Sequence, residues 1–282
     1  GSILVVVRNQ STLLKPADFE RVLEAVRQQV ANEFRDAWGI SANVVARPDP
    51  MVQVPNDFDV VFKDKSDEQG DLGYHFEEDA GWPGAFIFVQ DCIDNGDPLA
   101  SVALSHEIIE MLVDPGANQL ASHDEEGQPT KIFPFEACDP VEGDTYDGLN
   151  GVKLSNFVTP QYFEDNWPAG SQKFDHLGLV TKPFEIRPGG YMEVMANGKW
   201  DTVWGDKANR DKARHRPKRG ADGCRNCHRH IQPLGRLHVK IPFCGACLKD
   251  VPAHMLQFLL EKAQEAEAPI RKVKVEFGPV PE

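Results

Sequence analysis

Ser101-Val-Ala-Leu-Ser-His-Glu-Ile-Ile-Glu-Met-Leu-Val-Asp-Pro115 is the run around which the rest of the chain falls into place. At helical period, His106 and Glu110 stand one turn apart on one face, with Asp114 a further turn on and Glu107 beside the first of them. Leu99, Val102, Ala103, Ile108, Ile109, Met111 and Leu112 give this helix a wide apolar surface, so it is buried whatever His106 does. A histidine on such a helix can be a hydrogen-bonded core residue. An imidazole nitrogen and a carboxylate oxygen at i and i+4 are also half of a divalent-metal site. The flanking sequence separates the two readings.

Upstream, Ile3-Leu-Val-Val-Val7 is a continuous apolar run suited to a strand covered on both faces. Pro16 to Trp38 is one long amphipathic helix, with Phe19, Val22, Leu23, Val26, Val30, Phe34 and Trp38 on its apolar side, Pro16 in its first turn and Gly39 at its end. Asn43–Ala46 and Phe58–Phe62 are two short strands separated by Pro48, Pro50 and Pro55. Gly70–His75 reads as a short glycine-flanked edge strand and Ala85–Val89 as another strand. Asp97-Pro98 then opens the central helix with a cap and a first-turn proline.

The order strand, helix, strand, strand, edge strand, strand, helix resembles the upper half of the zincin metalloproteases over residues 3–115. Their metal-binding helix carries His-Glu-x-x-His; here the second histidine is replaced by Glu110, and a carboxylate oxygen is an acceptable zinc ligand. The resemblance implies that His106 and Glu110 hold the metal, that Glu107 activates a water, and that the edge strand pairs with extended substrate. It also implies a third ligand from downstream. Glu136, Asp139 and Glu142, at steps of three within Phe135–Tyr146, are the source: Asp139 is preferred, and the sequence does not separate it from Glu136. His75 and Tyr146 are candidate oxyanion donors. Asp114 is expected to be a helix-end residue rather than a ligand.

Residues 3–195 are also similar to a family of predicted bacterial and phage proteins. The shared features are Leu72-Gly-Tyr-His75, His106 to Pro115, Glu136 to Asp139, Ser155 to Phe163, Pro183-Phe184 and Gly189-Gly-Tyr191. That family also carries Glu at the position of Glu110, and it implies a fold and a site more firmly than a reaction. After Pro115 regular structure is expected to thin out. Asp147-Gly-Leu-Asn-Gly151 and Pro188-Gly-Gly190 read as turns. Phe157, Tyr162, Phe163, Trp167, Phe174 and Phe184 are expected to line and pack the lower half of a cleft.

The net charge of −14 hides an asymmetry: residues 201–282 hold 16 Lys+Arg against 10 Asp+Glu, and residues 1–200 hold 14 against 34. Two units are expected. Asp206 to Arg219 is a basic linker or solvated arm. Beyond it, Cys224-x-x-Cys227 and Cys244-x-x-Cys247, sixteen residues apart, are the ligands of a zinc ribbon with a closed tetrathiolate shell. Val251–Glu267 reads as a last amphipathic helix and Ile270–Phe277 as a last strand. Unmodified thiols point to a reducing, cytoplasmic compartment. No run approaches the length of a membrane span, and Ile3–Val7 is too short for a signal peptide.

The expected fold class is therefore α+β. A zincin-like mixed sheet with a long N-terminal helix and an active-site helix fills residues 1–200. A linker spans 201–222, and a small zinc-ribbon module with a C-terminal helix spans 223–282. The expected activity is zinc-dependent hydrolysis of a protein or peptide substrate, with one Zn²⁺ in the catalytic site and one in the ribbon. Two other classes compete with it. One is a binding protein on the same scaffold with a structural metal. The other is a nucleic-acid-binding ribbon, for which the basic segment suits phosphate and the acidic part does not. The ribbon's partner is a protein or a nucleic acid; no membrane partner is expected.

Overall fold

The apolar run at the N-terminus is the middle of a sheet. The computed structural model describes residues 3–48, 57–66, 71–77 and 82–206. In it β1 (Ile3–Asn9) pairs in parallel with β2 (Ala42–Ala46) on one side and β3 (Phe58–Lys63) on the other. Val5 and Val7 are wholly buried and Val6 nearly so, as a strand covered on both faces requires. β4 (Gly73–Glu77) and β5 (Pro83–Phe88) complete the sheet in the order β2-β1-β3-β5-β4. Among the described residues every pairing in this sheet is parallel except β4 with β5, so β4 runs opposite to the other strands.

The first long helix starts at Pro16 and ends at Gly39, whose φ of +70° suits a residue without a side chain. It is not uniform. α1 (Pro16–Gln29) passes through a π turn at Val30–Phe34 into α2 (Arg35–Trp38). Val26, Val30, Phe34 and Trp38 recur every four residues, whereas a regular helix turns in 3.6, so this set would drift off the core. The wider π turn absorbs the drift. Val30 and Phe34 stay fully buried, and Trp38 Nε1 reaches the carbonyl of Val158 at 2.8 Å.

α3 (Val89–Asp94) follows β5 directly, so the strand expected to reach Val89 ends one residue earlier. α4 (Ser101–Val113) is the central helix. It lies against β4, β5 and α1. Asp97 caps it as expected, accepting the N–H groups of Ser101 (3.1 Å), Val102 (2.9 Å) and Ala103 (3.3 Å). Pro98 lies before its first turn rather than within it, because Ala100 takes a left-handed conformation (φ +51°) just ahead of Ser101.

The expectation of little regular structure beyond Pro115 is corrected. β6 (Leu120–His123), β7 (Lys131–Pro134), β10 (Tyr191–Ala196) and β11 (Lys199–Trp204) form a second, antiparallel sheet in the order β11-β10-β7-β6. β10 and β11 are joined at Asn197 (φ +51°) and Gly198 (φ +71°), the left-handed pair of a two-residue hairpin. β8 (Thr145–Asp147) and β9 (Lys153–Ser155) flank the expected turn and form a third, two-stranded piece. The chain is thus mixed α+β with several sheets. Phe157, Tyr162, Phe163, Phe174 and Phe184 pack in the core, while Trp167 is 37 % exposed. No helix among the described residues is long and apolar enough to cross a membrane. The basic linker beyond Asp206, the four ribbon cysteines, the last helix and the last strand lie outside the described residues.

Candidate metal centre

α4 carries three of the candidate groups, and an edge strand and a loop bring the others to it. His106, Glu107 and Glu110 come from α4, His75 from the edge strand β4, and Glu136 and Asp139 from the segment after β7. Asp139 opens a 3-10 turn, Asp139–Val141. Nε2 of His106 stands 3.2 Å from Oε2 of Glu110 and 3.2 Å from Oδ1 of Asp139. Two ligands on a tetrahedral zinc with bonds of about 2.0–2.1 Å are about 3.4 Å apart. The three residues expected as ligands therefore bring one donor atom each within 4.8 Å of the others, with both carboxylates at hydrogen-bond distance from His106. Glu136 joins a second group instead, with His75 and Glu110, so Glu110 belongs to both.

Glu110 is divided between two tasks. Its Oε1 accepts the backbone N–H of Cys138 (3.0 Å) and of Asp139 (3.3 Å), and its Oε2 faces His106 at 3.2 Å and Nδ1 of His75 at 3.7 Å. Cys138 adds a second tie: its thiol points to the carbonyl of His106 at 3.8 Å. Nothing in the sequence marks Cys138 for this role, since its contribution is a backbone donor and a buried sulfur. Gly190 closes the other side of the turn. A Cβ there would lie 2.3 Å from the carbonyl oxygen of Pro140 and 2.8 Å from that of Asp139. The Gly-Gly-Tyr segment is thus a seat for Asp139 as well as a turn.

Glu107 lies against the edge strand. Its Oε2 is 3.4 Å from Nδ1 of His75, and a Cβ on Gly73 would meet its Cγ at 3.0 Å. Gly73 is the space that lets this carboxylate in. Nε2 of His75 is buried without a hydrogen-bond partner and stands 3.8 Å from Oε2 of Glu136.

The electrostatics follow from putting four carboxyl groups and two imidazoles into one buried volume. Glu107, Glu110 and Asp139 are 3–7 % exposed and His75 8 %. Burial alone lowers an imidazole pKa; here the charges of Glu136, Glu110 and Glu107 outweigh it and lift His75 to about 9. His106 is also raised well above its ordinary value, against burial, by Glu110, Cys138 and Asp139. Burial pushes Glu110 up to about 8 despite His106, and it raises Asp139 too. Without a metal, protons on the imidazoles balance part of the negative charge.

Two further residues singled out in the sequence have partners elsewhere. Tyr146 accepts a hydrogen bond from Nε2 of Gln29 (3.0 Å) and packs its ring on His176, so its hydroxyl is engaged with α1 rather than with this cluster. Asp114 is a helix-end residue, as expected: Oδ2 accepts the N–H of Gln119 at 2.8 Å. Compared with family models, with curated proteins and with solved structures, the chain matches none. What fold and site define together is a mixed α+β protein with a buried histidine–carboxylate cluster whose donor atoms lie close enough together to hold a metal ion.

Proposed function

We propose that this chain is a zinc-dependent metallopeptidase of the zincin type, with His106, Glu110 and Asp139 as metal ligands and Glu107 as general base. The observation that carries the reading is the convergence of His106 Nε2 on Glu110 and Asp139 at 3.2 Å each, with Glu107 next to the first ligand on the same helix. One imidazole and two carboxylates suit zinc. The strand order supports it too, since a single antiparallel edge strand beside the metal-binding helix is the zincin arrangement. A zinc ion in this site supplies Lewis acidity toward a peptide carbonyl and makes water acidic near neutral pH.

The chain's own groups do the rest. Glu107 takes the proton of the attacking water and returns it to the leaving amine. Nδ1 of His75, 3.4 Å away, holds the carboxylate in place. Among the described residues β4 lies at the end of its sheet, where an extended peptide would add as a further strand. Two carboxylate ligands offset much of the ion's charge, so slow turnover is expected. The paired Cys-x-x-Cys motifs support a separate structural zinc in a ribbon that recruits substrate or a partner.

Glu107→Gln tests the reading. Cleavage of a mixed peptide pool should vanish while zinc content stays at the wild-type level; unaltered proteolysis would refute the assignment. A second reading is a structural metal on the same scaffold, favoured by how little of the cluster is exposed. It predicts that chelation lowers the melting temperature and that no peptide is ever cut.

A further inference from the structure

We propose that the cluster takes two divalent cations, the second held by His75 and Glu136 with Glu110 shared between the two sites. The inference rests on the first ion lying at His106, Glu110 and Asp139, because Glu110 serves both. Two observations support it.

First, His75, Glu110 and Glu136 present donor atoms within 4.8 Å of one another, just as His106, Glu110 and Asp139 do. Glu110 is the one residue common to both groups. A shared carboxylate is the ordinary way in which proteins hold two ions about 3.5–4 Å apart.

Second, Nε2 of His75 is buried, without a hydrogen-bond partner, and faces Oε2 of Glu136 across 3.8 Å. That separation is too long for a hydrogen bond and suits two ligands on one cation. The other nitrogen, Nδ1, stands 3.4 Å from Oε2 of Glu107 and 3.7 Å from Oε2 of Glu110, so the carboxylate common to both groups lies beside the same ring. An imidazole that gives one N–H to a carboxylate and keeps the other nitrogen free is oriented as metal-binding histidines are.

Mn²⁺ is the probe, because it binds imidazole and carboxylate oxygen but not a thiolate ribbon. Full-length protein is stripped with chelator and titrated with Mn²⁺, and binding and paramagnetic resonance are recorded. The wild type should take two Mn²⁺ per chain with the spectrum of an exchange-coupled pair. His75→Ala and the isosteric Glu136→Gln should each take one, with an uncoupled spectrum. His106→Ala should also lose the coupling. A single uncoupled Mn²⁺ in the wild type that His106→Ala abolishes and His75→Ala leaves would overturn the second site and keep the first. Retention of all Mn²⁺ in both His75→Ala and His106→Ala would overturn both. Near-ultraviolet circular dichroism checks that each variant is folded, and the wild-type stoichiometry is decisive without any variant.

Discussion

Oε1 of Glu110 accepts the backbone N–H of Cys138 at 3.0 Å, and this bond joins α4 to the turn that brings Asp139. The same oxygen takes the N–H of Asp139, so one carboxylate oxygen builds the site while the other faces the imidazoles. A histidine at this position would offer one nitrogen to a metal and a single N–H donor, not an acceptor, to the backbone. Glu110 is therefore a structural part of the cluster whatever else it binds.

Glu110→Gln and Glu110→Ala should separate these two tasks. Glutamine keeps an acceptor for both N–H groups, so the metal-free protein should fold with nearly wild-type stability yet bind metal weakly. Alanine strands two buried donors, at about 1–3 kcal/mol for each unsatisfied group. Urea unfolding of the chelator-treated variants should place the alanine variant at least about 2 kcal/mol below the glutamine one. Equal midpoints would mean that the turn is held by something else.

Gly190 makes a comparable prediction from the far side of the turn. Its missing Cβ would sit within 2.6 Å of the carbonyl carbon of Pro140, a backbone atom that cannot rotate away. Gly190→Ala must push the Asp139 turn outward, at a cost of about 1–3 kcal/mol for overpacking. The metal should then leave more readily, measured as zinc retained after dialysis against a weak chelator. Undiminished retention would show that Asp139 does not depend on this seat.

The sequence made the first half of the fold legible because its signals are local. Ile3–Val7 is apolar without interruption, Pro16 and Gly39 punctuate a helix, and Asp97 caps one. Those features depend on neighbours within a turn or two. The π turn was legible only in the four-residue spacing from Val26 to Trp38, which a helical wheel reads as an amphipathic stripe. The second sheet was harder to read. β6 and β7 are four residues each, and β11 alternates exposed and half-buried residues without a buried position. Only Asn197-Gly198 carried a strong hairpin signal. At the site, residue type and helical spacing singled out His106 and Glu110, the zincin resemblance asked for a third partner in Asp139 or Glu136, and the structure places Asp139 beside His106 and Glu110. The roles of Cys138, Gly73 and Gly190 are backbone donors and close approaches, which residue identity does not encode.

Asp97 ties helix stability to the site. Its carboxylate accepts three N–H groups of the first turn of α4, the helix on which His106, Glu107 and Glu110 lie. Burial raises its pKa even against those bonds. Asp97→Ala should destabilise the metal-free protein by about 1–2 kcal/mol, the usual loss for a helix cap. Asp97→Asn, which retains an acceptor, should lose less. Denaturant midpoints of the two variants check the order; a larger loss for asparagine would assign the effect to charge rather than to the cap.

Asp114 makes the stability of the metal-free protein depend on pH. It is 2 % exposed, and burial raises its pKa to about 6 against its bonds to Gln119 and Asn118. The folded state therefore holds this proton more tightly than an unfolded chain, in which an aspartate titrates near pH ~4. The stability linked to it is fully present below that value and is lost as pH rises through about 6. The gap between those two titration points bounds the effect at about 3 kcal/mol. Asp114→Asn keeps an acceptor for the Gln119 N–H and cannot titrate. Between about pH 4 and pH 7 its unfolding free energy, measured against wild type by urea in the presence of chelator, should rise by up to that amount. A constant difference across the window would show that Asp114 ionises in the folded protein as it does in the unfolded chain, and that its burial is relieved by water.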